Sequence, residues 1–173
     1  ELPLTTIPLA GACRAVEISP TARVLAAQEG RKVRLVDLVS GENRDGFDAG
    51  DEKVQHLLFS RDGRLLAVHA RNYVAVWDIE SGARRYSIGG GTGKTHVLKP
   101  LLFDDEQRLI CHASGKAGVG VVQFALDGTE LRTLVKGNFG PFSSISSDGK
   151  LFASHAGLSR SLEPETIEIW STE

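Results

Sequence analysis

VQHLLFSRDGRLLAVHARNYVAVWDIESGARRYSI, residues 54–88, decides the fold. It opens on an apolar stretch, VQHLLFS (54–60), and turns at RDG (61–63). A second apolar stretch follows at LLAVHA (65–70), and an alternating one at YVAVWD (73–78). After a Ser-Gly pair comes ARRYSI (83–88). Short runs rich in β-branched and aromatic residues, bounded by Gly and Asp, read as strands. The Asp-Gly pairs at 62–63, 127–128 and 148–149 are turn chemistry, because Gly tolerates positive φ and Asp bonds its own backbone. The segment therefore predicts a four-stranded antiparallel meander with strands a, b, c and d.

Three other segments superpose on its start. EISPTARVLA around Ile18, LFDDEQRLIC around Phe103 and SISSDGKLFA around Ile145 align with LFSRDGRLLA around Phe59. The spacing is roughly forty residues each time, the signature of a repeat architecture. The units span approximately 11–49, 53–89, 96–135 and 140–173. LTTIPLA (4–10) precedes strand a of the first unit and so holds a d position. TIEIWST (166–172) is a c strand with no d after it.

The period, the F-S-x-D-G-x-L-A stretch and the V-x-V-W-D close at Val74 to Asp78 resemble WD repeats, the blades of WD40-type β-propellers. Val36-Asp37 and Trp170-Ser171 each keep half of the closing dipeptide, and Gln123-Phe124 keeps neither half. The resemblance implies an all-β fold of four four-stranded WD-type blades in a single domain, residues 1–173. It also implies closure of the last blade by strand 4–10, since ring closure removes exposed sheet edges. Four blades lie at the bottom of the range for closed rings, so the expectation is part of a larger ring. Flanking blades in one parent chain complete it, or two copies join head to tail into an eight-blade homodimer. The absence of any methionine points to a processed product or a piece of a longer protein.

Composition supports a globular chain with no obvious bulk target. It is 41% hydrophobic and 24% charged, an ordinary globular balance. A net charge of −2 gives no global attraction to nucleic acid or anionic lipid. No apolar stretch approaches the length of a membrane span. Cys13 and Cys111 both fall in expected strands of different units, as small core residues rather than a disulfide. That points to a reducing, cytoplasmic setting.

The motifs with chemical potential dissolve on inspection. GGGTGKT (89–95) resembles a phosphate-binding loop, but the first glycine of that motif falls on Ile88. The segment also joins two strands, where phosphate loops join a strand to a helix. It reads as a glycine-rich surface loop. His69 and His155 share a strand-b position in units two and four, and His112 is one residue out of phase. They read as residues hydrogen-bonded between sheets, and no metal or other cofactor is expected. Asp104-Asp105-Glu106 reads as a solvated a–b turn. No nucleophile elbow or paired-carboxylate spacing appears, so no catalytic residue is assigned and no enzyme is expected.

Strand alternation places the d–a and b–c loops at one end of the array. That end gathers Arg31, Arg71, Lys94, Lys116 and Arg160, and the long loops 89–96, 114–118, 136–140 and 157–165. Irregular loops on a rigid scaffold concentrate binding residues. The expected function is a non-catalytic scaffold for protein or peptide partners, acidic or phosphorylated, as the WD-repeat resemblance implies for signalling or regulatory proteins. The alternatives are a sensing propeller of a larger NTPase or effector enzyme, and a propeller enzyme.

Overall fold

The computed structural model describes residues 6–21, 23–50, 53–71, 73–89, 96–115, 118–137, 139, 143–155 and 166–172. Among them every regular element is a strand. Sheet 1 runs β1 (Val16–Ile18), β2 (Val24–Glu29), β3 (Lys32–Asp37) and β4 (Asn43–Asp48). Sheet 2 runs β5 (Val54–Phe59), β6 (Leu65–Ala70), β7 (Tyr73–Asp78) and β8 (Arg84–Gly89). Sheet 3 runs β9 (His96–Phe103), β10 (Leu109–Gly115), β11 (Gly118–Phe124) and β12 (Glu130–Lys136). Sheet 4 holds β13 (Ser143–Ile145), β14 (Leu151–His155) and β15 (Ile167–Ser171). All pairings are antiparallel between neighbours in sequence, as in a meander. The all-β expectation and the repeated antiparallel sheets therefore hold.

The a–b turns follow from Ser and Asp. In sheet 2 the Leu65 amide donates to Ser60 Oγ (2.8 Å), and Ser60 Oγ donates to Asp62 Oδ1 (2.6 Å). Gly63 completes the turn at φ 73°, a value that favours glycine. Sheet 4 repeats the device: Leu151 N donates to Ser146 Oγ (2.9 Å), Ser146 Oγ bonds Asp148, and Gly149 sits at φ 74°. Sheet 3 substitutes Asp104, whose Oδ1 accepts from the Glu106 and Arg108 amides at 2.9 Å each.

The sheets bury their apolar faces against one another. Between sheets 1 and 2, Val24, Ala26, Val33, Leu35 and Phe47 meet Leu57, Phe59, Leu66, Val68 and Trp77. Between sheets 2 and 3, Leu65, Ala67, Val74, Val76 and Ile88 meet Val97, Phe103, Cys111, Val122 and Phe124. Between sheets 3 and 4, Ile110, Val121 and Val135 meet Ile145, Phe152 and Trp170, with Phe139 edge-on to the last two rings. Every residue of β6 is buried because sheet 2 is covered on both faces. Each Val or Leu so covered contributes about 1.5–3 kcal/mol. The first strands neighbour one another in order, β1 by β5, β5 by β9 and β9 by β13. Among the described residues β13 and β1 share no comparable seam.

Two expectations fail. Residues 6–10, the described part of the expected strand 4–10, form no ladder and lie against sheet 1 rather than sheet 4. Arg34 Nη1 donates to Pro8 O (2.6 Å), and the Ala10 amide bonds Glu29. The two polar side chains of sheet 1 satisfy backbone groups that a strand partner would otherwise take. Cys13 is exposed and outside any strand, with its thiol on Ala15 O at 3.3 Å, whereas Cys111 is buried in β10. Strand pairing in sheet 1 starts at Val16, so Cys13 stays on the incoming chain.

Candidate interaction surfaces

The b–c hairpins of sheets 1 and 2 stand side by side. Each connects its strands through two residues, 30–31 and 71–72. Two-residue hairpins of this kind use positive φ, which suits the right-handed twist of the strands. Gly30 supplies it in sheet 1 at φ 65°. In sheet 2 the matching position is Arg71, at φ 51°. A side chain there is strained by about 1–2 kcal/mol. Arg31 and Arg71 thus occupy successive positions of equivalent turns, and both side chains are exposed.

One residue, Ala49, couples the two turns. The Ala49 amide donates to Arg31 O (2.9 Å), and Tyr73 Oη donates to Ala49 O (2.9 Å). Ala49 is buried, so the hairpin carrying Arg31 and the strand following Arg71 share a fixed support. Lys32, Lys53 and Lys136 are exposed near the same end, with Asp48 exposed and Glu29 half-buried among them. Lys94, Lys116 and Arg160 lie outside the described residues, as does GGGTGKT beyond Gly89.

The opposite end is knit by its own charges. Arg61 pairs with Asp105 of sheet 3 and donates through Nη2 to Ser147 O of sheet 4 (2.8 Å). Asp104 Oδ2 accepts from Arg108 Nε (2.8 Å) and Gln123 Nε2 (2.7 Å), so this carboxylate caps its own turn and is half-buried rather than solvated. The c–d turns work alike: Asp37 takes the Val39 and Ser40 amides and Arg44, and Asp78 takes the Glu80 and Ser81 amides and Arg64. Asp37 is held down to about 2, by the Arg44 hydrogen bond first and the two amides next.

Two of the histidines, His69 and His112, are buried in sheet interfaces. His69 Nε2 faces Val97 O of sheet 3 at 3.4 Å, and its ring stacks on His56 at 5.6 Å. Burial pushes it down to about 4, so the imidazole is neutral. The a–b turn of sheet 3 is one residue shorter than that of sheet 2, so His112, opposite Val121, comes into phase with His69, opposite Val74. Against the sequence expectation, it faces the following sheet as His69 does, and it sits beside Phe139, ring centroids 5.7 Å apart. Burial lowers it too, followed by the charge of Lys99. Burial also pushes the Cys111 thiol well up, away from the reactive thiolate. Among the described residues no three metal-ligating side chains converge, and no helix is long and apolar enough to cross a membrane.

A second surface, whose residues the sequence reading did not single out, lies at the two ends of the array. Val16 and Ile18 of β1 are 59% and 55% exposed, while Leu57 and Phe59, their counterparts in sheet 2, are 7% and 5% exposed. Leu151, Ile167 and Ile169 of sheet 4 are 53%, 74% and 68% exposed, while their counterparts Leu65, Val74 and Val76 are all nearly inaccessible. The signal was present in the alignment of the repeats, because these residues align with the apolar Leu57, Phe59, Leu65, Val74 and Val76 of the second unit.

No family model matches the chain, and no curated protein matches it. Among solved structures it resembles the crystal structure of the computationally designed Ika4 protein, with a TM-score of 0.68. The match covers 96% of this chain and 95% of that one at 16% identity, a likeness of fold alone.

Proposed function

We propose that the protein is a non-catalytic recognition platform of the WD-repeat propeller type, binding an acidic or phosphorylated peptide segment at its b–c end. The observation that carries this reading is Arg71. An arginine at φ 51°, where the neighbouring sheet uses glycine, costs stability at an exposed tip. Strain of that kind clusters at functional sites. Arg31 stands on the adjoining hairpin, and a guanidinium suits planar, bidentate recognition of carboxylate or phosphate. Asp37, Asp78 and Asp104, which anchor turns at the opposite end, are already paired with Arg44, Arg64 and Arg108.

The test is binding of phosphoserine-containing acidic peptides to the wild type and to an Arg31→Ala/Arg71→Gly variant. Glycine at 71 relieves the backbone, so the variant keeps its fold while losing both guanidiniums. Binding weaker by about tenfold, and more so at low salt, is the expected result. Unchanged binding removes this end as the site.

A further inference from the structure

Each internal interface of the array is built from the same two halves. The rear half of one sheet comes from alternate residues of strands b and c, as Leu65, Ala67, Val74 and Val76 do in sheet 2. The front half of the next comes from strand a and its neighbours, as Leu57, Phe59 and Leu66 do against sheet 1. The chain carries one unused copy of each. Sheet 1 presents a front half with Val16 and Ile18 open, and sheet 4 presents a rear half with Leu151, Ile167 and Ile169 open. Apolar side chains at these positions are covered wherever a neighbouring sheet exists.

We propose that the outer face of sheet 4 receives the outer face of sheet 1 of a second copy, so that two chains close head to tail into a ring of eight sheets. Heterologous contacts of this type end in a closed ring when the rotation returns to its start. Eight lies within the range that propeller rings adopt. Both halves of the missing interface are present on one chain, so no other partner is needed to complete it.

The leading segment fits the same scheme. Sheet 4 has three strands, and β15 pairs only with β14 among the described residues. Among the described residues no fourth strand lies on its other edge. Ile7 precedes Ile18 by eleven positions, while Phe47 precedes Phe59 by twelve and Val135 precedes Ile145 by ten. Phe47 and Val135 are the buried fourth-strand residues that face the following sheet. With Ile88 preceding Phe103 by fifteen at the remaining seam, the eleven positions of Ile7 fall within the range that the internal fourth strands span. In the single chain this segment rests on sheet 1, where Arg34 holds Pro8. Arg34 matches Ala75, on the Trp77 side of its strand, so the segment lies across the face that the second copy would cover. Ring closure transfers it to the β15 edge of the partner.

The mass of the purified full chain in solution tests this directly. The expected value is twice the chain mass of 18.6 kDa. A monodisperse species of one chain mass overturns the proposal, including the case in which flanking blades of a longer parent normally cover these faces. Two variants then locate the seam. Ile18→Asp and Ile169→Asp change residues that are exposed in the single chain, so circular dichroism should be unaltered. Each should weaken self-association about a hundredfold, because a carboxylate would be buried unpaired. Mixing the two variants restores one intact seam, so the mixed dimer should form in preference to either homodimer. A dimer indifferent to both substitutions, or one that mixing does not favour, overturns the head-to-tail arrangement. Neither residue belongs to the Arg31 and Arg71 surface, so a monomer that still binds acidic peptides leaves the proposed function standing.

Discussion

Phe47 of β4 lies flat on Trp77 of β7, ring centroids 4.2 Å apart and planes 9° from parallel. The pair joins the outer part of sheet 1 to the third strand of sheet 2. Phe47 is 7% exposed, so Phe47→Ala removes a ring from a packed seam. The expected loss is about 3–5 kcal/mol in a urea melt. A double cycle with Trp77→Ala should return a coupling of about 0.5–1.5 kcal/mol. Independent effects would mean that the rings touch without supporting one another.

Arg71→Gly should raise stability. The substitution places glycine where φ is 51°, as Gly30 already does in the adjoining sheet. The gain expected is about 1 kcal/mol by chemical denaturation. A loss would show that contacts of the arginine side chain outweigh its backbone strain.

The two serine turns should respond unequally. Ser60 is 1% exposed and Ser146 is half-buried, although both accept the amide that starts strand b. Ser60→Ala leaves a buried amide unpaired and should cost about 2 kcal/mol. Ser146→Ala admits water and should cost less than about 1 kcal/mol. Equal losses in parallel melts would assign the cost to turn geometry rather than desolvation.

Gly120 should not accept a side chain. A Cβ there would lie 2.3 Å from the Val135 carbonyl oxygen, next to a register shift between β11 and β12. Backbone cannot yield as a flexible side chain does, so Gly120→Ala should cost about 1–3 kcal/mol. Gly11→Ala, with open space around the added carbon, is the control in the same melt.

Stability should fall as the pH drops from neutrality. His69 is pushed by burial from its ordinary 6.5 down to about 4, and His56 and His112 move the same way. Between those values the unfolded chain binds more protons than the folded one. Stability is therefore full above pH 6.5 and declines toward pH 4, by about 3 kcal/mol at most from His69. Asp37 acts lower: its contribution is complete above its ordinary 3.8 and is lost as the pH approaches 2. Denaturation midpoints across the window should slope, and His69→Gln should flatten them. An unaltered slope in that variant would place the titration elsewhere.

The residues around Phe59 make the sheets legible in the sequence alone. Alternation in YVAVWD and the Ser-x-Asp-Gly turn are local, and local rules carry from repeat to repeat. The same reading misjudged residues 6–10, where Thr-Ile-Pro-Leu-Ala has strand character but rests on Arg34 and Glu29. Strand propensity says that a segment can join a ladder, not which edge it finds. The strain at Arg71 was equally hidden, because an arginine gives no local signal of positive φ.

Val16 and Leu57 draw the line between the two sources. The amino-acid order alone determined that both are apolar, that both lie in first strands, and that both point to the same side of their sheets. Only the tertiary arrangement decided that one is covered and the other open. The reason is physical: side-chain alternation is set by the pleat of the strand, within a few residues, whereas burial requires a second surface brought from elsewhere in the chain or from another molecule.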